Sequence, residues 1–573
     1  MQKKIRFTDA FGEGILTKYE KNRYLKLMVV GVAAAITDVL VVGLLYPFIA
    51  LLSGSKIQGT LQHLFEFFRA DTTKQQILFA CFALLIGYVV RVLILFYCKK
   101  GLARLRRDIQ IRFSSLVFDN YLKSNLDFFY STNSSEIIRN ISAIGGYLSI
   151  FVFGFLTLVS EVTLALGLIV LVTVISPGTV FPALFFCAAL GYLAYRITKS
   201  KMKIAGEQAN VAVSGRLRVM QEGFRGISEI KLYSKEEFFN EEFADHQRRA
   251  ANAESEFEIY SGLTSPLFEL VLISSLIAFT SIYISTGSDY GLVLPTLALY
   301  AGAAFRIIPS FGRLINYMQN MEFGGALADE LRRISKSESP ETKDDERSQF
   351  VELCLTKETS LNLVDLGFAY QSKQDPVLTD VNMQFDFGKI YCISGESGSG
   401  KSTLVGLILG LLKPIRGDVR VGNVSISESL QNWQKTIGYV PQSIFLRDDT
   451  IERNITLGES DDDQLLIDQV IEQAGLKMFI SNLPEGVETV IGESGSRISG
   501  GERQRIGIAR ALFRNPSLLV FDEATNALDQ ETEDQLLETI FAMRGKVTMI
   551  ILSHNVKVFD RCDVVYKLPP ARS

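Results

Sequence analysis

A strand-like run, Lys389–Ser394, leads into Gly395-Glu396-Ser397-Gly398-Ser399-Gly400-Lys401-Ser402 and then, from Thr403, into an apolar helical run. The spacing is GxxxxGK[ST] between a strand and a helix, the pattern of a phosphate-binding P-loop. Its glycines let backbone N–H groups close around phosphates at a helix N-terminus. Lys401 is then placed to bridge β- and γ-phosphates, and the Ser402 hydroxyl to ligate Mg²⁺. Further along, four apolar residues, Leu518 to Phe521, end in Asp522-Glu523. That is a buried strand delivering two carboxylates at its C-terminal end, where α/β sheets bind ligands. Asp522 would hold Mg²⁺, directly or through water, and Glu523 would polarise an attacking water. The chemistry indicated is hydrolysis of a nucleoside triphosphate.

The elements around these residues are β-rich runs (LNLVDLGFAY, KIYCISG, TIGYVPQ, SLLVFDE, VTMIILSH) alternating with helical stretches. They predict an α/β domain built on a largely parallel sheet. Upstream the composition changes. Six apolar runs reach the length needed to cross a bilayer, at about 24–52, 77–98, 147–175, 180–198, 263–285 and 291–317. Lys and Arg concentrate before residue 27 and in 99–139 and 199–249, whereas the short segments at 176–179 and near Asp289 carry no basic residue. The positive-inside rule therefore puts both termini in the cytoplasm. The connections 99–146 and 199–262 are polar but helix-patterned, so helices two to five should continue beyond the membrane as long intracellular arms. The charged stretch 334–349 reads as a linker, which gives a membrane domain at 1–333 and an ATPase domain at 350–573.

Composition agrees with two unlike halves. The 573 residues are 47% hydrophobic and 21% charged, with a mean hydropathy of +0.20, which excludes disorder and a disulfide-stapled scaffold. A net charge of -4 gives no global attraction to nucleic acid. The six cysteines form no CxxC pair and read as small buried hydrophobes. The N-terminal segment lacks the apolar core and cleavage site of a signal peptide.

Between the P-loop and the acid pair lies Ile498-Ser499-Gly500-Gly501-Glu502-Arg503-Gln504-Arg505, opening a helix. With this, the chain resembles the ABC transporters, whose signature is LSGGQ. The resemblance spans essentially the whole chain and implies an exporter-type half-transporter. Its fold would be multidomain: an all-α six-helix transmembrane domain with long intracellular helical arms, plus an α/β P-loop (RecA-like) ATPase domain with a helical subdomain. ATP and Mg²⁺ are the implied cofactors. Tyr370 then matches the aromatic that stacks on adenine, and Gln442 the glutamine that contacts Mg²⁺ and the transmembrane domain. Asn526 to Asp529 match the D-loop, and His554 the histidine at the γ-phosphate. Residues 395–403, Ser499 to Glu502 and Asp529 would line the nucleotide. Ile498, Glu502 and Asn526 depart from the usual Leu, Gln and Ser. The chain ends soon after His554, and a closing strand is not expected. Residues 127–139 and 226–236 resemble the two coupling-helix regions, and Thr489–Gly495 resembles the exporters' cross-linking loop.

One signature and one P-loop per chain imply a second half-transporter. A homodimer is the simpler choice and a heterodimer the other. For the cargo, Arg91 and Arg306 lie 14 and 15 positions into their apolar runs, so both sit roughly 21 to 23 Å from the outer end. Such a pair suits a phosphate or pyrophosphate headgroup; snorkelling, or pairing with Asp38, Glu161 or Glu269, is the competing reading. The runs around them are similar to those of bacterial flippases of lipid-linked oligosaccharides, which implies an inner-membrane protein with a cytoplasmic ATPase, membrane lipid around it and a lipid-linked substrate. Peptide, lipid or drug export and ATP-gated channel or regulatory activity are the alternatives.

Overall fold

The computed structural model describes residues 16–52, 72–262, 290–325, 353–370, 376–459, 464–524 and 530–569, apart from residues 176, 397 and 554, and with scattered positions in 263–281 and residue 329. The expected linker at 334–349, most of the fifth apolar run, and Asn526 to Asp529 lie outside them. Contacts divide the chain into two compact units: Met1–Ser124 with Thr132–Ser339, and Asn125–Ser131 with Pro340–Ser573.

The first unit is helical. Its elements in chain order are α1 (Lys18–Gly43), α2 (Leu45–Leu52) and α3 (Thr73–Leu122), then, past α4 (Leu126–Ser131) of the other unit, α5 (Ser134–Tyr147). A π-helical turn at Leu148–Phe153 leads into α6 (Gly154–Ile175), followed by α7 (Pro177–Arg225), α8 (Ile227–Leu232), α9 (Glu236–Gly262) and α10 (Tyr290–Phe323). Helix starts obey local chemistry. Thr17 and Glu20 form a reciprocal capping box at α1, as do Thr72 and Gln75 at α3. Three described stretches, Lys18–Leu52, Thr73–Leu122 and Ser134–Val174, are long and apolar enough to cross a membrane. The fourth and sixth apolar runs fall within α7 and α10.

At 1.5 Å per residue the 50 residues of α3 extend about 75 Å, against a hydrocarbon core of about 30 Å. The 49 residues of α7 are similar. These are the long arms the polar connections imply. Within the apolar part, α3 exposes Leu78, Phe82, Leu85, Leu93 and Phe96, a surface suited to lipid rather than water. A buried seam of Ala35, Val42, Leu164, Leu168, Val172, Ala303 and Ile307 joins α1, α6 and α10. Tyr24 is buried, and its hydroxyl donates to the carbonyl of Val152 inside the π turn at 2.9 Å.

The second unit holds two sheets. A five-stranded parallel sheet has the order β6-β7-β8-β3-β9, where β3 is Ile390–Ser394, β6 Ile437–Val440, β7 Leu518–Asp522, β8 Thr548–Leu552 and β9 Val564–Lys567. The described strands β3, β7 and β8 are buried almost throughout, as continuous apolar runs covered on both faces should be. The run LNLVDLGFAY does not join it. Its strand β1 (Ser360–Phe368) alternates buried and accessible residues and pairs antiparallel with β2 (Leu378–Asp386) and β4 (Arg416–Val421), with the short β5 (Val424–Ser425) beyond. The expectation of no closing strand is likewise corrected: β9 pairs with β3 from Tyr391↔Val564 to Ser394↔Lys567. Helices between β6 and β7, at 451–456, 464–473, 477–481 and 500–513, form the helical subdomain.

Trp433, the chain's single tryptophan, is fully buried in this unit, and its indole N–H donates to the carbonyl of Ile408 at 2.8 Å. Trp433→Ala removes that packing and orphans the carbonyl. A loss of about 3–5 kcal/mol is expected, read as a lowered unfolding temperature of the ATPase unit in the purified full chain; an unshifted transition would refute it.

Candidate functional site

The site is assembled by strand register. Ile393 of β3 and Asp522 of β7 both pair with Leu552 of β8, and Phe521 pairs with Val440 of β6. The loop at Gly395, the acid pair, Ser553 and the approach to Gln442 therefore leave the sheet at one edge, its C-terminal edge.

At that edge Gly400 caps the P-loop helix α11 (Lys401–Ile408) with φ +90°, and a Cβ there would sit 2.9 Å from Leu378. Both facts demand glycine. Lys401 is buried, and its Nζ donates to the carbonyls of Gly395 (2.8 Å) and Glu396 (3.1 Å), while the Ser399 amide closes on the Glu396 carbonyl at 3.2 Å. Ser399 Oγ is buried with no hydrogen-bond partner, a polar atom aimed into a loop built for anions. Ser402 is exposed at the first turn and Thr403 is buried behind it. Tyr370 and Thr403 share a hydrogen bond between their hydroxyls at 3.0 Å. Ser397, Asp529 and His554 lie outside the described residues.

Across the edge, Asp522 is buried. Burial first, and then the neighbouring Glu523 charge, push its carboxyl above the usual range, with the Tyr439 hydroxyl and Lys401 opposing them. Tyr439 donates to Asp522 Oδ2 at 3.4 Å. Gln442 Nε2 donates to Glu523 Oε2 at 3.0 Å, so the glutamine expected at Mg²⁺ and the acid expected to polarise water are already joined. Glu523 adopts φ +49°, an uncommon conformation for a non-glycine residue at a ligand-facing strand end. Two adjacent acids, one buried and disfavoured as an anion, fit a divalent cation, because such a charge relieves both burial and repulsion.

The signature segment opens α12 (Gly500–Phe513). Ser499 and Gly500 are exposed at its N-terminus. Ser499 Oγ accepts from the Glu502 amide (3.3 Å), and Glu502 Oε2 accepts from the Ser499 amide (2.7 Å). Ser499 and Glu502 thus form a capping box, a role at the third helical position that the usual glutamine can also fill.

Within the first unit, both candidate substrate arginines meet one carboxylate. Arg91 Nε contacts Asp38 Oδ1, and Arg306 Nη2 lies 3.6 Å from the same oxygen. Of the partners considered from sequence, Asp38 is the one engaged; Glu161 instead takes a bidentate fork from Arg313 at 2.6 and 2.9 Å.

The family model of the ABC transporter transmembrane region matches residues 32–301, and the ABC transporter model matches residues 378–526. The chain therefore belongs to the ABC transporters, as a half-transporter carrying both regions in one polypeptide. Among particular relatives it is similar to the ATP-dependent lipid A-core flippase of Saccharophagus degradans, 30% identical over 392 residues that make up 68% of this chain and 65% of that one. The chain thus spans just under two thirds of that relative. The flippase of the same description from Coxiella burnetii is 25% identical over 82% of this chain and 79% of its own length. A bacterial Atm1-family ABC exporter, solved with ATP bound, shares the fold with a TM-score of 0.77 at 21% identity, over 96% of this chain and 94% of that one.

Sequence reasoning passes over Tyr439. Its signal is a hydroxyl-bearing ring in an otherwise apolar strand three residues before Gln442, because a buried phenol needs a polar partner. For Glu523→Gln the expected outcome is retained ATP binding with turnover lowered about 10²- to 10⁴-fold. Near-normal steady-state hydrolysis would remove Glu523 from the chemistry.

Proposed function

We propose that this chain, as a homodimer in a bacterial inner membrane, uses ATP to flip a phosphate-bearing glycolipid from the cytoplasmic leaflet, with a polyprenyl-pyrophosphate-linked oligosaccharide as the leading cargo. The observation that carries the reading is the Arg91–Asp38–Arg306 cluster, a buried carboxylate held by two half-buried guanidinium groups. Two guanidinium groups against one carboxylate leave an excess positive charge inside an apolar bundle, where an unpaired charge is expensive. A phosphate headgroup offsets it, and guanidinium binds phosphate in fork geometry. The relatives described as lipid A-core flippases support a lipid cargo. In this reading residues 1–333 form the membrane domain, 334–349 the linker and 350–573 the cytoplasmic ATPase.

At the ATPase site the P-loop amides and Lys401 hold the phosphates, and Tyr370 stacks on the adenine. Ser402, Asp522 and Gln442 are the groups that would hold Mg²⁺, which when bound would supply charge neutralisation at the phosphates. Glu523 orients water and Gln442 orients Glu523; His554 meets the γ-phosphate. Ser499 and Gly500, exposed on one protomer, complete with Gly501 the P-loop site of the other, and the family resemblance assigns Glu502 and Asp529 to the same nucleotide. A helix N-terminus is suited to this because its free amides face an anion.

Two expectations follow from these residues. Arg91→Ala and Arg306→Ala should each cut ATP-dependent flipping in proteoliposomes at least tenfold; assays with polyprenyl-pyrophosphate oligosaccharide and with lipid A-core separate the two lipid classes, and full flipping of both by both variants would sink the headgroup site. The Glu502 carboxylate opposes a γ-phosphate at the same helix end. Glu502→Gln should therefore lower the KM for ATP about two- to fivefold; an unchanged KM would mean that the capping box already neutralises the charge.

A further inference from the structure

The segment Asn125–Ser131 comes from the membrane half of the sequence, between α3 and α5, yet it belongs to the ATPase unit. Leu126, like Tyr370 and Tyr439, packs against that unit's core. Four residues on, Tyr130 stands edge-on to Tyr370, with ring centroids 5.9 Å apart and planes at 86°. Phe368 makes a second edge contact with Tyr370, at 4.9 Å and 90°. The third restraint on that ring is the hydrogen bond to Thr403 in the first turns of the P-loop helix. Tyr130 nevertheless keeps 66% of its surface exposed. An aromatic ring anchored beside another and left open is a surface to which a flat heterocycle can add.

We propose that Tyr130 is a positioning residue of the adenine site: it buttresses Tyr370 from the arm-derived segment, so that affinity for the base depends on that segment being seated. This rests on the reading of Tyr370 as the adenine platform. An edge-to-face aromatic pair is worth enough to change a binding constant several-fold. Linkage makes the effect reciprocal, because a base held better with the segment in place holds the segment in place by the same factor.

The test uses the full chain in lipid nanodiscs, with steady-state Mg-ATP hydrolysis inhibited competitively by tripolyphosphate, a probe with phosphates and no base. Tyr130→Ala should raise the KM for ATP about three- to tenfold and leave the tripolyphosphate inhibition constant within twofold. Tyr130→Phe should restore the KM, since the ring edge is what matters. An unchanged KM in Tyr130→Ala, a parallel rise of both constants, or a Tyr130→Phe variant as weak as Tyr130→Ala would each overturn the proposal. Tyr370→Ala separates the two levels. If it raises the KM while Tyr130→Ala does not, only the buttress is lost; if it leaves the KM unchanged, the adenine platform falls and the buttress with it.

Discussion

The chemistry of this chain hangs on one alignment, the parallel ladder in which Leu552 meets both Ile393 and Asp522. A shift of one residue would carry the acid pair away from the P-loop and turn Asp522 to the opposite face of the sheet. The backbone hydrogen bonds of the ladder are covered on both faces by buried apolar side chains, which fixes its register. At its edge, Gly438 of β6 lets the signature helix approach closely, since a Cβ there would meet the Ala511 carbonyl at 2.5 Å. The sheet therefore sets both the phosphate site and the base of the helix whose exposed end carries Ser499.

The membrane unit solves the opposite problem, placing charges where water is scarce. Glu161 and Arg313 satisfy each other through a matched fork. Asp38 is shared instead of matched, and an uneven cluster is costly to retain for structure alone, because well-packed apolar residues often replace buried ion pairs without loss. That cost is the physical argument for reading the cluster as functional.

Legibility in the sequence follows the range of the interaction. The P-loop, the acid pair and the capped SGG helix can be read directly, because local backbone geometry dictates residue type at each. The long arms are equally legible in the length of their polar helical runs. Tyr439 and Tyr130 are not, since their value depends on partners brought near only by the fold. The strand Val564–Lys567 escapes notice because it is a four-residue edge strand whose exposure alternates, too short for a periodic signal. The separate antiparallel sheet is legible only in hindsight, in the half-buried alternation of Ser360–Phe368.

The π turn at Leu148–Phe153 gives the helix that contains it two phases. A π turn accommodates one residue more than an α turn, and one residue is worth about 100° of rotation about the helix axis. The face that Ser134–Tyr147 presents is thereby out of step with the face that Gly154–Ile175 presents, although the two run as one rod. Tyr24 secures the offset by taking the Val152 carbonyl. One continuous helix can therefore answer to two separate packing surfaces, its polar arm and its apolar span, with no break that lipid would penalise.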